Sequence, residues 1–114
     1  MTIQQFKTKL KTTPNLITFA ETMQVIENHY NFTPTAFTNG NIKNKAGENS
    51  GSCKLFAFAI HQQITKEETL AYFGEHYATV LEDTTGTSHQ NIRNFMEFSF
   101  DGLAFESDAL TLKN

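Results

Sequence analysis

The sequence predicts an α+β fold: a mainly helical single domain of about five helices with a small two- or three-stranded sheet. Three observations carry that prediction. Apolar residues recur three and four positions apart along most of the chain. Hydroxyl residues followed three positions later by Glu or Gln mark helix starts. Two short segments, around Phe32–Thr38 and Leu103–Glu106, carry extended-structure residues instead.

Thr2 and Gln5 form a capping box, each side chain able to satisfy the other residue's backbone N–H. Ile3, Phe6 and Leu10 then fall on one face, so a first helix is expected to end near Lys11. Thr13-Pro14 restarts the pattern, with proline at the first helical position, where its missing N–H costs nothing. Leu16, Ala20, Met23, Ile26 and Tyr30 form one stripe, which predicts a second helix from Pro14 to His29. Phe32–Thr38 reads as an edge strand, because Pro34 cannot donate to a central ladder. Asn39 to Ser52 holds almost no apolar residue and reads as a loop of about 13 residues, a length usually associated with function or mobility.

From Cys53 to Gln62 the chain is nearly all apolar, as expected of a helix buried on most faces. Thr65 and Glu68 make a second capping box, opening a helix that runs through Leu70, Phe73, Tyr77 and Leu81 to about Glu82. Gly74 lies inside that span, at a cost of about 1 kcal/mol relative to alanine, and would permit close packing. After a turn around Gly86, a last helix capped by Thr87 or Ser88 places Ile92, Phe95, Met96 and Phe100 inward. Gly102 suits a left-handed stop. Leu103–Glu106 alternates as a strand and would pair with Phe32–Phe37.

The chain has 114 residues, the size of one ordinary domain, and no internal repeat. Eleven phenylalanines and no tryptophan point to a core of phenyl rings, which need no hydrogen-bond partner. A net charge of −3, without a basic face, argues against nucleic-acid binding. A single cysteine excludes an internal disulfide. No signal-peptide pattern or apolar run of membrane-spanning length is evident, so a cytoplasmic, monomeric protein is expected. No histidine pair stands at metal-binding spacing, and neither a metal nor another cofactor is predicted.

Two constellations bear on chemistry. Cys53 is read near a helix start beside Lys54, an arrangement that lowers a thiol's pKa, and His89 opens another helix where it could serve as base. The Gly47–Lys54 segment resembles a phosphate loop but has the wrong spacing for one, while the N–H groups of Ser52 to Lys54 could still hold an anion. Asn39, Asn49, Ser52, Lys54, Asn91 and Arg93 are the candidate ligand-binding residues. A purely structural reading makes Asn39, Gly40, Asn49 and Ser52 loop-locking residues, and has Arg93 pair with an acid.

The blocks Tyr30–Gly40, Ala46–Lys54, Tyr72–Tyr77, His89–Phe95 and Phe105–Thr111 resemble the HopJ type III effector protein family along nearly the whole chain. That resemblance, to a family named after a protein delivered into plant cells by type III secretion, implies a small bacterial protein and a type III effector that such a system could secrete into a host cell. It brings no catalytic residue to Cys53 or His89. The expected function is therefore binding of an unknown protein or small-molecule partner through the 39–52 loop and the helix starts near Cys53 and His89. The alternative is a small cytosolic cysteine-dependent enzyme using those two residues.

Overall fold

A computed structural model describes residues 1–113. Six α-helices and two small antiparallel sheets make up the fold. α1 (Ile3–Thr12) begins with the expected capping box at Thr2 and Gln5 and buries Phe6 and Leu10. The next helix is shorter than the apolar stripe suggests. Pro14–Leu16 forms one 3-10 turn, Ile17 is extended, and α2 runs only from Phe19 to His29. Thr18 explains the break, since its side chain caps the Glu21 N–H. Leu16, placed on the inner stripe by spacing alone, is instead exposed.

The extended region splits into two strands, one on each side of Pro34, and they join different sheets. β1 (Tyr30–Phe32) pairs with β5 (Leu110–Leu112), with Tyr30 opposite Leu112. β2 (Phe37–Asn39) is the centre of a three-stranded sheet. On one side it forms a hairpin with β3 (Ile42–Asn44), and on the other it pairs with β4 (Leu103–Phe105), with Phe37 opposite Phe105. The expected partner of 103–106 is thus right at Phe37 and wrong at Phe32. The Asn39–Ser52 segment is not one long loop. It contains the hairpin turn at Gly40, strand β3, and a turn in which the Glu48 carboxylate and N–H bond the Lys45 N–H and carbonyl.

α3 (Ser50–Gln62) is the central helix and packs against α2, α4 and β5. Leu55, Phe56, Phe58 and Ala59 have no exposure. Phe56 touches the rings of Phe37, Phe73 and Phe95, and Phe58 those of Tyr30 and Tyr72. The phenyl-built core expected from composition is therefore centred on one helix.

The helix expected from Thr65 to Glu82 is two. α4 (Lys66–Ala71) starts with the Thr65–Glu68 capping box, and α5 (Glu75–Glu82) restarts after Gly74. Gly74 has φ +59° and ψ −127°, a backbone geometry that disfavours any side chain. It does mediate close packing: a Cβ there would stand 2.8 Å from the Ile17 carbonyl oxygen and the Phe19 nitrogen. The same junction is fixed from the other side, where the Glu75 carboxylate accepts the Phe19 N–H at 2.8 Å. That hydrogen bond holds the Glu75 carboxyl below its ordinary value. A lowered folded-state value stabilises the fold above the ordinary carboxylate range and ceases to do so as pH falls through the lowered value. Glu75→Gln is therefore expected to melt at a lower temperature than wild type at pH 7. The gap should close as pH falls below about 4.3, the ordinary glutamate value; a gap independent of pH would count against the charge being the cause.

α6 (Gln90–Phe98) is capped by neither Thr87 nor Ser88. His89 occupies the cap position in a left-handed conformation, φ 52°. The helix ends at Phe98, where Ser99 takes the positive φ expected of Gly102, and a 3-10 turn from Ser99 to Gly102 leads into β4. Gly102 is needed for a different reason. Its backbone lies against the hairpin turn, its carbonyl accepting the Gly40 N–H at 2.9 Å.

Candidate ligand-binding site

A cleft of about 480 Å³ lies where the starts of α3 and α6 face one another. Its apolar part comes from Phe19, Phe73, Ile42 and Ile92, and its polar part from Asn49, Ser52, His76, His89, Gln90 and Asn91. The Phe19 and Phe73 rings stack nearly parallel at 5.8 Å, with His76 edge-on to Phe19 at 4.9 Å. Gly51 makes this possible, because a Cβ there would meet the Phe19 ring at 2.8 Å. His76 reaches the cleft because the chain breaks at Gly74, which puts it in the first turn of α5 rather than in mid-helix.

Both helix starts lack side-chain caps. Asn49 and His89 each hold the cap position in left-handed backbone, and neither side chain accepts a helix N–H. Asn49 is committed elsewhere: its Nδ2 donates to Asn44 Oδ1 at 2.7 Å. The first backbone N–H groups of two helices of 13 and nine residues are consequently left without a side-chain acceptor, and residues of both first turns line the cleft. Each helix also brings the positive end of its dipole there.

Behind the cleft lies a buried asparagine cluster. Asn39 Nδ2 donates to the Asn91 carbonyl at 2.7 Å and to Asn91 Oδ1 at 3.0 Å. Asn44 and Asn91 exchange amide hydrogen bonds at 3.1 and 3.2 Å. These bonds tie β2, β3 and the start of α3 to the first turn of α6, so the two cleft walls are held by one network. Asn39 is completely buried, and its Oδ1 has no partner among the described residues.

The expected site residues divide into three groups. Asn49, Ser52, His89 and Asn91 line the cleft. Asn39 does not, but it braces Asn91 from behind. Cys53, Lys54 and Arg93 lie elsewhere. α3 begins at Ser50, so Cys53 is already one turn in, its own N–H bonded to the Asn49 carbonyl. The thiol is 2% exposed and faces the Thr35 carbonyl at 3.9 Å. Burial raises its pKa, outweighing the lowering by Thr35 and Lys54. The helix-start activation expected of Cys53 thus goes to residues 50–52, and the cysteine behaves as a small core residue.

Lys54 sits over the Phe32 ring at 4.9 Å, with Glu27 3.8 Å from its ammonium. Arg93 spans the 83–88 turn: its guanidinium donates to the Ser88 and Thr84 carbonyls and lies 4.0 Å from Asp83. Its contacts are those of the structural reading. Alkylation of Cys53 in the native protein should run roughly 100-fold slower than in the unfolded chain, given about 3 kcal/mol for local opening. Equal rates would show the thiol to be accessible and reopen a nucleophilic role.

Phe19, Phe73, Ile42 and His76 were not visible as site residues in the sequence. Two local signals could have marked them: Thr18 as a cap immediately before Phe19, and Gly74 as a helix break before His76.

No metal-binding group of three or more His, Cys, Asp or Glu occurs among the described residues. No described helix is long and apolar enough to cross a membrane.

Comparison with known proteins adds three findings. No curated protein matches the chain. The crystal structure of the unknown-function protein VPA0580 shares 52% identity and a TM-score of 0.95, over 99% of this chain and 95% of the other. The family model for the HopJ type III effector protein matches residues 3–110. With nearly its whole length matched, the chain belongs to the HopJ type III effector protein family.

Proposed function

We propose that this protein is a ligand-binding member of the HopJ family that takes a small molecule into the cleft between the starts of α3 and α6. The observation that carries this reading is the convergence of two uncapped helix starts on one aromatic-floored cleft. Pockets that bind small molecules are typically of this size, with an apolar lining and a few placed polar groups. Here the Phe19–Phe73 pair offers a flat apolar surface, and Ser52, Gln90 and the helix N–H groups offer donors beside it. The buried asparagine cluster supports the reading too, since it holds both walls in place before any ligand arrives.

The enzyme alternative has no comparable support. His89 lines the cleft, whereas the Cys53 sulfur faces Thr35 in the core. The family description supports delivery by a type III secretion system as the wider role, and a translocation reporter fused to the chain would test that separately.

Ser52→Trp places a bulky ring in the cleft from its rim, and provides the test of binding. A thermal-shift screen of metabolite-sized compounds should yield ligands that raise the melting temperature of wild type but not of S52W, with the variant's circular dichroism unchanged. Ligands that stabilise both proteins equally would place binding elsewhere and overturn the proposal.

A further inference from the structure

Two histidines lie side by side in the cleft lining, His76 in the first turn of α5 and His89 at the cap of α6. The His76 and His89 rings are 4.9 Å apart between centroids and tilted by 39°. Both line the cleft, and neither ring hydrogen-bonds to a protein group among the described residues. His89 is exposed and His76 half-buried, so both can exchange protons with solvent. They are the only ionisable side chains in the lining: no Asp, Glu, Lys or Arg contributes to it.

Most of the nearby charges are engaged elsewhere. Glu75, beside His76 on α5, has its carboxylate on the Phe19 N–H and, from outside the lining, also interacts electrostatically with His76. On α6, Arg93 is turned to the 83–88 carbonyls and Asp83. On α3, Lys54 points to Glu27 and Phe32. On α2, which supplies Phe19, Glu21 is paired with Lys9 at 2.7 Å and Glu27 with Lys54. No carboxylate lines the cleft itself, so Glu75, outside the lining, is the one acid coupled to the pair.

Two imidazolium rings this close repel one another, and the dipoles of α3 and α6 add positive potential at the same place. An anion held in the cleft beside the two rings would offset that positive charge, and protonation in turn strengthens its binding. By linkage the two events are one reciprocal equilibrium.

Resting on the reading of the cleft as a binding site, we propose that its ligand is an oxyanion, a sulfate-, phosphate- or carboxylate-bearing small molecule, and that it binds together with a proton taken up by the His76–His89 pair. The site would then load as pH falls through the imidazole range and unload as it rises.

Inorganic sulfate is the suitable probe, because it does not itself titrate between pH 6 and pH 8. Calorimetric titration of the full chain, at fixed ionic strength, should show sulfate binding about tenfold or more tighter at pH 6 than at pH 8, as expected for a linked proton. The heat at an intermediate pH should vary with the ionisation enthalpy of the buffer, reporting proton uptake. Both effects should vanish in H76Q/H89Q and persist in H29Q/H61Q, which removes the two histidines outside the cleft and controls for net charge.

Equal sulfate affinity at both pH values would overturn the inference, as would a pH dependence that survives in H76Q/H89Q. If sulfate fails to bind at either pH while compounds sensitive to S52W still do, the cleft is a binding site but not an oxyanion site. If nothing binds in an S52W-sensitive manner, the underlying reading fails with it.

Discussion

Gly74→Ala should destabilise the fold by about 3 kcal/mol or more, from backbone strain and a steric clash acting together. The backbone at φ +59° and ψ −127° is one that a Cβ disfavours, at a cost of roughly 1–3 kcal/mol for the conformation alone. The new methyl would also stand 2.8 Å from two backbone atoms, Ile17 O and Phe19 N, neither of which can swing aside like a side-chain tip. Relief would require parting the Thr18 turn from the α4–α5 junction. That would stretch the Phe19 N–H to Glu75 bond and shift Phe19 off Phe73. Urea unfolding gives the stability loss directly, and the cleft supplies a second readout because its floor moves. A loss under 1 kcal/mol would show that the junction is soft.

The second large effect is expected at Asn91. Asn91→Ala removes the amide that serves Asn39 and Asn44 at once, leaving buried donors and acceptors short of partners. Each such group costs about 1–3 kcal/mol, and the total should reach about 3 kcal/mol because Asn39 keeps the Asn91 carbonyl and Asn44 keeps Asn49. Asn91→Asp tests whether the donor matters: it preserves the shape, retains acceptors toward Asn39 and Asn44, but removes the Nδ2 donation to Asn44 Oδ1. It should also be strongly destabilising at neutral pH, where it buries a carboxylate. If alanine is tolerated and aspartate is not, the network matters less than the charge; if both are tolerated, the cluster does not hold the cleft walls.

The parts of this fold legible in the sequence are those set by local chemistry. Both capping boxes, at Thr2 and Thr65, are present because a hydroxyl and a carboxamide or carboxylate three residues apart can satisfy each other without help. α3 was legible as the central helix because a run such as Leu55–Ala59 has no face to spare for water. The misreadings share a cause. A stripe of apolar residues persists through a break when the segments on either side pack on the same core, as at Ile17–Thr18 and at Tyr72–Gly74. Periodicity therefore joined what Thr18 and Gly74 divide. β3 was illegible for the opposite reason. Ile42-Lys43-Asn44 has little intrinsic claim to be a strand, and its place is set by the hairpin to β2 and by the Asn44 amide bonds to Asn91, 47 positions away.

The candidate cleft was legible in some of its polar lining and not in its shape. Asn49, Ser52, His89 and Asn91 stood out because they occupy turns and helix starts, where polar side chains have local reasons to be. Cys53 lies one helical turn inside α3, enough to exchange a reactive position for a core one, because the apolar run begins three residues after the helix does. His76 required a break at Gly74 that only the tertiary clash with the 17–19 backbone explains.

The strand pairing has a consequence for how the chain acquires its structure in time. β4 and β5 are the partners of strands made some 60 to 80 residues earlier, with Asn39 opposite Leu103 and Tyr30 opposite Leu112. During synthesis α1 to α3 can form and collapse on their own apolar faces, while the outer edges of β1 and β2 wait. Neither sheet closes until residues 103–112 have left the ribosome. Closing contacts of such long sequence separation slow folding relative to a purely helical bundle of the same length. A nascent chain halted before Leu103 therefore exposes two unpaired strand edges, which makes it a substrate for chaperones or proteases rather than a smaller version of the native domain.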